Sequence, residues 1–301
     1  MKRVLLSVLA AATMCSASAS AQTTPAASAS PSVVNRSGAP ENVERIIRAF
    51  TQKETEFRKA LNEYGFRRDA ILQTIAFGGQ ISGEYHRVSR FVFDDSGNRF
   101  EKILKFPVPT MSEITITAED LEDLGGVQSF ALESSKIQEY DFAYAGKEKI
   151  DELDTYVFDV TPKILSDARR LAALKATVKK TRQPERYFQG RIWVDDQDLQ
   201  IVKARGKGVP EFDQRFPTFE TYREQIDGKY WFPTYSYADD DLNFKTGQTV
   251  HLRMRIKFTD FERLRGRATV IEQGDETEKK DDEPATKPTP TPTPPAQKPK
   301  P

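Results

Sequence analysis

The sequence is poor in the residues from which reactive sites are most often built. Among 301 residues there is one cysteine, Cys15, and there are two histidines, His86 and His251. Cys15 falls inside an N-terminal leader, so removal of the leader leaves neither a disulfide nor a thiol nucleophile. The two histidines lie far apart in the sequence, which leaves little from which to build a histidine metal centre or a Ser-His-Asp triad. There is no G-x-S-x-G elbow, phosphate-binding glycine loop, H-E-x-x-H or C-x-x-C. No cofactor or metal is implied, and the chain is read as a non-enzyme. Charge of one sign is lacking too: 45 Lys and Arg balance 45 Asp and Glu. No basic domain of the kind that binds nucleic acid is present. After the leader, no apolar run approaches the ~20 residues of a membrane-spanning helix.

The leader itself is clear. Lys2 and Arg3 precede an apolar stretch, Val4 to Cys15, and Ala19-Ser20-Ala21 supplies the small-residue pattern of a cleavage site. The stretch is too short to span a bilayer, and Thr13 and Met14 before Cys15 are not the small residues of a lipid-attachment signal. Residues 1–21 are therefore read as a cleaved signal peptide. The expected location is the periplasm, or alternatively outside the cell. Gln22–Pro40 is a Ser/Thr/Ala/Pro linker with too little apolar surface to offset ordering entropy. Residues 272–301 pass from a charge run into KPTPTPTPPAQKPKP, an extended polyproline-like tail. One domain, 41–271, remains between them.

Its pattern is mainly β. Val43, Ile46, Ile47, Phe50, Phe57, Leu61 and Tyr64 recur at helical spacing and predict an amphipathic helix stopped at Gly65. Strands follow at Phe66–Phe77, Ile81–Phe93 and Arg99–Phe106, separated by Gly78-Gly79 and by the Asp94–Asn98 turn. Thr117 with Glu119 and Asp120 reads as a capped start of a short helix through Leu121 and Leu124, ending at Gly125-Gly126. A hairpin is expected from Ile137–Ala145 and Leu153–Thr161 around a Gly146–Asp151 turn. Ser166–Lys179 is a second helix, with Ala168, Leu171, Ala172, Lys175 and Val178 as its stripe. Tyr187–Val194, Leu199–Ala204, Thr218–Ile226, Lys229–Tyr237 and Thr249–Phe261 complete the strands. Their expected connections are Asp195–Asp198, a Gly206–Phe216 loop, Asp227-Gly228 and Asp239-Asp240-Asp241. The acidic runs are read as turns, where Asp bonds its own backbone, rather than as calcium or acid/base sites. In the last strand Val250, Leu252, Met254, Ile256 and Phe258 alternate with His251, Arg253, Arg255 and Lys257, so one face is dry and the other wet. His251 reads as a surface residue. Tyr222, Tyr230, Trp231, Phe232, Tyr235 and Tyr237 crowd two neighbouring strands, where cross-strand packing is the commonest aromatic role.

The segment Tyr187-Phe188-Gln189-Gly190-Arg191-Ile192-Trp193-Val194-Asp195, followed by Leu199-Gln200-Ile201-Val202-Lys203-Ala204, resembles the strand, acidic turn and strand of the LolA/LolB/RseB-like superfamily, of the outer-membrane lipoprotein-sorting type. The hairpin from Tyr140 through Gly146 to Pro162 is similar to the one preceding it there, and the resemblance runs from about Glu41 to Arg263. It implies a strongly curved antiparallel sheet or incomplete β-barrel enclosing the N-terminal helix, with short inserted helices. It also implies an apolar concave face that carries a lipid, an acyl chain or a lipoprotein, with Ile192, Val194, Trp231, Val250, Leu252, Met254, Ile256 and Phe258 as ligand-binding residues. The alternative is an envelope structural or interaction module whose concave face is filled by its own helix; an envelope hydrolase is a third reading. The helix with Arg169, Arg170, Lys175, Lys179, Lys180, Arg182 and Arg186 departs from the family pattern and suggests transient contact with a membrane surface. A monomer is expected.

Overall fold

The computed structural model describes residues 40, 42–117, 120–121, 132–181, 186–212 and 215–264, with the backbone alone at 178–181. The leader, almost all of the linker, the tail, Leu124, Gly125-Gly126 and the side chains of Val178, Lys179, Lys180 and Arg182 lie outside what is described.

Helix α1, Val43–Leu61, is capped by the Asn42 side chain, which accepts from the Arg45 amide at 2.9 Å. Ten strands follow: β1 Tyr64–Ile75, β2 Ile81–Phe93, β3 Arg99–Lys105, β4 Tyr140–Ile150, β5 Leu153–Pro162, β6 Tyr187–Asp195, β7 Ile201–Val209, β8 Phe219–Gln225, β9 Trp231–Asn243 and β10 Thr249–Arg263. A helix α2, Ala168–Thr181, lies between β5 and β6. All ten strands form one antiparallel sheet in the order β3-β2-β1-β10-β9-β8-β7-β6-β5-β4. The sheet is open, with β3 and β4 at its edges, and α1 packs on one face. The mainly β, antiparallel, helix-filled architecture expected from the sequence is the one observed.

The alternation in β10 is realised in full: Leu252, Met254, Ile256 and Phe258 are buried against Thr74, Leu72, Ala70 and Arg68 of β1. Burying side chains of this size stabilises by about 1.5–3 kcal/mol each. Several boundaries differ from expectation, each for a tertiary reason. Gly65 does not stop the helix; it sits in β1, where a Cβ would meet the Phe91 carbonyl oxygen at 2.7 Å. Gly146 is not a turn residue but lies within β4 next to a bulge at Ala145, and the turn is Asp151-Glu152. Gly206 and Gly208 belong to β7 rather than a loop, because β6 and β7 come close enough that a Cβ on Gly206 would strike the Phe188 ring. Asp239-Asp240-Asp241 is strand, not turn. The β9–β10 turn lies at Phe244–Gly247, with Gly247 at φ +86°. The stripe of α2 is misphased: Leu171 and Leu174 are half-buried, whereas Ala168, Ala172 and Lys175 are exposed.

Candidate functional site

Two faces of the sheet carry different chemistry. On the concave face, α1 sends Phe50 against Phe142 and Phe158, with ring centroids 5.6 and 5.7 Å apart, and Phe57 against Phe232 at 5.5 Å. Glu54, in the same stripe, receives two hydrogen bonds from Arg223 of β8 at 2.5 and 3.1 Å. Thr55 contacts Ser134, and Arg58 pairs with Glu133. The centre of the concave face is thus packed by the helix.

One end of that face is not. Between the sheet, the irregular segments 113–116 and 215–217, and Asp120 lies a cavity of ≈270 Å³. Its apolar wall is formed by Ile114, Ile116, Phe216, Pro217, Leu242, Phe244 and Leu252. The β9–β10 turn positions Leu242 and Phe244. The stretch after β3 is tied back along β2 by the Thr110 amide, which donates to the Glu84 carbonyl, and by the Glu84 amide, which donates to the Thr110 hydroxyl. Met111, Ile114 and Ile116 then turn inward onto the core.

The polar groups at this cavity are bonded within the protein. Glu113 accepts from Ser82 and Thr74, and hydrogen bonds, led by its own backbone amide and the Ser82 hydroxyl, hold its carboxyl below the usual range. Asp120 accepts from the backbone amide and hydroxyl of Thr117, which in turn caps Asp120, so the expected capped start is present there. Arg215 donates to the carbonyls of Asn243 and Glu211. The cavity opens to solvent, and its apolar wall offers water few partners, so it suits an apolar guest.

The eight residues expected to bind ligand do not converge on this cavity. Leu252 lines it. Ile192 lines a void of only ≈20 Å³ with Phe188, Ile201 and Phe219. Val194, Val250, Met254 and Ile256 are buried. Phe258 borders a separate surface groove of ≈480 Å³, where the pairing of β9 with β10 stops at Tyr235 and Lys257. Trp231 is a correction: it lies on the convex face, packed on Val157, Trp193 and Val202, with its indole N–H donated to Asp198 at 2.8 Å. Sequence reasoning missed Ile114, Ile116, Phe216, Leu242 and Phe244. Only the apolar alternation of Ile114 and Ile116 could have signalled them.

The Asp195–Asp198 run is a turn, with Asp195 accepting from the amides of Gln197 and Asp198. His251 is a surface residue on the convex side, as expected, but it is clamped: its Nδ1 meets Asp241 at 2.7 Å and its Nε2 meets Asp239 at 2.5 Å. Partial burial would lower its pKa; the hydrogen bonds and charges of Asp241 and Asp239 outweigh that and raise it above the ordinary 6.5. A raised folded-state pKa gives stability that is complete below the unfolded value and is lost as pH rises through the folded one. An NMR titration is expected to place the His251 midpoint above 6.5, and Asp239→Asn with Asp241→Asn to bring it down; an unmoved midpoint would refute the clamp. Among the described residues no group of three or more His, Cys, Asp or Glu is placed to hold a metal ion. No described helix is long and apolar enough to cross a membrane.

Arg169, Arg170 and Lys175 of α2 are exposed, whereas Arg186 is half-buried over the Phe216 ring at 4.1 Å and does not belong to a basic face.

No family model matches the sequence, and no curated protein is similar to it. Solved structures do match, among them the following three. A DUF1329 family protein from Desulfovibrio piger is 14% identical, over 74% of this chain and 94% of that one, with a TM-score of 0.33. A LolA superfamily protein from Nitrosomonas europaea is 15% identical, over 71% and 94%, at 0.29. A domain described as belonging to an outer membrane lipoprotein-sorting protein of Vibrio parahaemolyticus is 11% identical, over 73% and 93%, at 0.30. The fold and the cavity rest on the chain's own strand order and contacts, and no residue role is transferred from these structures.

Proposed function

We propose that the protein is a non-catalytic carrier or receptor for a single apolar chain, such as the acyl tail of a lipid or lipoprotein, and that it works in the periplasm after removal of residues 1–21. The observation that carries this reading is the apolar cavity of ≈270 Å³ at the end of the concave face. Its volume lies just under the ~300–1,000 Å³ of typical small-molecule sites. It therefore suits the end of one slender chain better than a folded headgroup. Six buried methylenes would contribute about 5 kcal/mol before the costs of association. The exposed Arg169, Arg170 and Lys175 of α2 would add a transient hold on an anionic membrane surface. The packing of Phe50 and Phe57 into the centre of the concave face favours the second reading, an envelope interaction module with a self-filled core.

A fluorescent fatty acid separates the two. It is expected to bind the purified protein, and Leu242→Trp, which fills the cavity from its wall, is expected to weaken binding by about tenfold or more, equivalent to at least 1.4 kcal/mol, with the far-UV circular dichroism unchanged. Mass spectrometry of gently extracted protein should find co-purified lipid. Absence of both lipid and fatty-acid binding sinks the carrier reading and leaves the self-filled module.

A further inference from the structure

The two edges of the sheet are treated differently. β4 is the defended edge: the Ala145 bulge bends it, Lys147 is tied to Asp196, the Glu148 carboxylate accepts from the Trp193 indole, and Phe142 is held under Phe50. Bulges and charges of this kind are how natural sheets prevent edge pairing. β3 also carries a bulge, at Leu104, but unlike β4 it leaves large apolar side chains in solvent. Phe100, Ile103 and Leu104 are each about half exposed (48%, 49% and 49%), Phe106 follows, and Val108 is 87% exposed. Phe77, at the tip of the β1–β2 hairpin, stands fully in solvent at the far end of the same side. Apolar side chains project from both faces of the strand, because Ile103 lies opposite Ser89 on the concave face and Phe100 opposite Val92 on the convex one.

The charges on this edge are also one-sided. Glu101 is consumed internally by Arg68 and Arg87 at 2.9 and 2.6 Å, and Arg99 donates to the Leu61 and Tyr64 carbonyls. Lys102 and Lys105 remain, both exposed and without an ion pair among the described residues. We infer that the outer edge of β3 is a docking site for an extended polypeptide strand of a partner, in which carboxylates alternate with apolar side chains. Such a strand meets all three properties of the edge at once: its backbone pairs with the open row of N–H and C=O groups, its apolar face covers Ile103 on the concave side, and its carboxylates face Lys102 and Lys105 on the convex one. A second copy of the chain is a poorer occupant, since antiparallel pairing of two β3 strands brings lysines together. A bilayer is poorer still, because hydrocarbon leaves the open backbone groups unsatisfied.

The test uses the mature protein and a labelled peptide of alternating valine and glutamate, matched in length to the seven residues of β3, with a valine–lysine peptide as its counterpart. Fluorescence anisotropy is expected to show the glutamate peptide binding about tenfold more tightly. Lys102→Glu with Lys105→Glu should reverse the preference, and hydrogen exchange should slow at amides within Arg99–Lys105. Both lysines are exposed, so the fold should survive the change. Equal binding of the two peptides, binding of neither, or protection elsewhere in the sheet overturns the inference. So does a concentration-dependent dimer that hides β3, or attachment of the protein to anionic vesicles that the double variant abolishes while peptide preference stays unchanged.

Discussion

Glu54→Ala is expected to destabilise the protein by about 3–5 kcal/mol, one of the two largest single-residue effects anticipated here. The Glu54 side chain is 2% exposed and that of Arg223 is 9% exposed, and two hydrogen bonds join them across the interface of α1 and β8. Removing the carboxylate leaves a guanidinium buried beside the Phe57 ring, 5.0 Å away, without its counter-charge. The cost is that of an unpaired buried cation, not the net worth of the pair. Glu54→Leu with Arg223→Met, which removes both charges and keeps the volume, should therefore recover most of the loss. Urea denaturation is the measurement: the midpoint should fall for the single variant and return for the double, with the slope unchanged. A loss under 1 kcal/mol in the single variant would mean that water reaches Arg223.

Phe50→Ala should cost about as much, roughly 3–5 kcal/mol. Phe50 is fully buried and touches Phe142 of β4 and Phe158 of β5, so it ties the helix to the far third of the sheet. The emptied volume lies on the concave face, lined by aromatic rings that are held by separate strands and have little room to collapse. A saturating apolar guest should restore part of the loss, about 2.7 kcal/mol at a hundredfold excess over its Kd. Thermal unfolding with and without the guest reads this directly. A variant that loses stability without responding to any guest would show that the face collapses when α1 is trimmed.

Sequence periodicity located most of the elements, and the reason is visible in β10. Its partner strands, β1 and β9, place Leu72 and Ala238 opposite Met254 and the small buried Ala70 and Ser236 opposite Ile256, so a period of two survives intact. Punctuation by Gly and Asp was less dependable. Gly146, Gly206 and Asp239–Asp241 have the local chemistry of turns, yet a bulge, a close approach of two backbones and a clamp on His251 keep them in strands. None of these neighbours is near in sequence. Trp231 was placed on the wrong face although Phe232, Ala238 and Leu242 already mark the concave parity of β9. The candidate site was the least legible part. Its walls come from two segments with no secondary-structure period, 113–116 and 215–217, and an empty volume leaves no mark on composition. Of the eight residues named through the resemblance, only Leu252 borders the cavity at the end of the concave face.

The position of β1 beside β10 bears on how this molecule reaches its native state. Among the described residues, two meanders, β1–β3 and β4–β10, pair strands only at that seam, whose end carries the Arg263–Glu63 ion pair spanning 200 residues. Across an unfolded chain, closing such a loop costs roughly 5 kcal/mol of entropy before any contact compensates. Pairing of the first meander with the rest must therefore wait until the last strand has emerged, and high contact order of this kind slows folding. A chain so connected closes its sheet last at the seam between its first and its final strand.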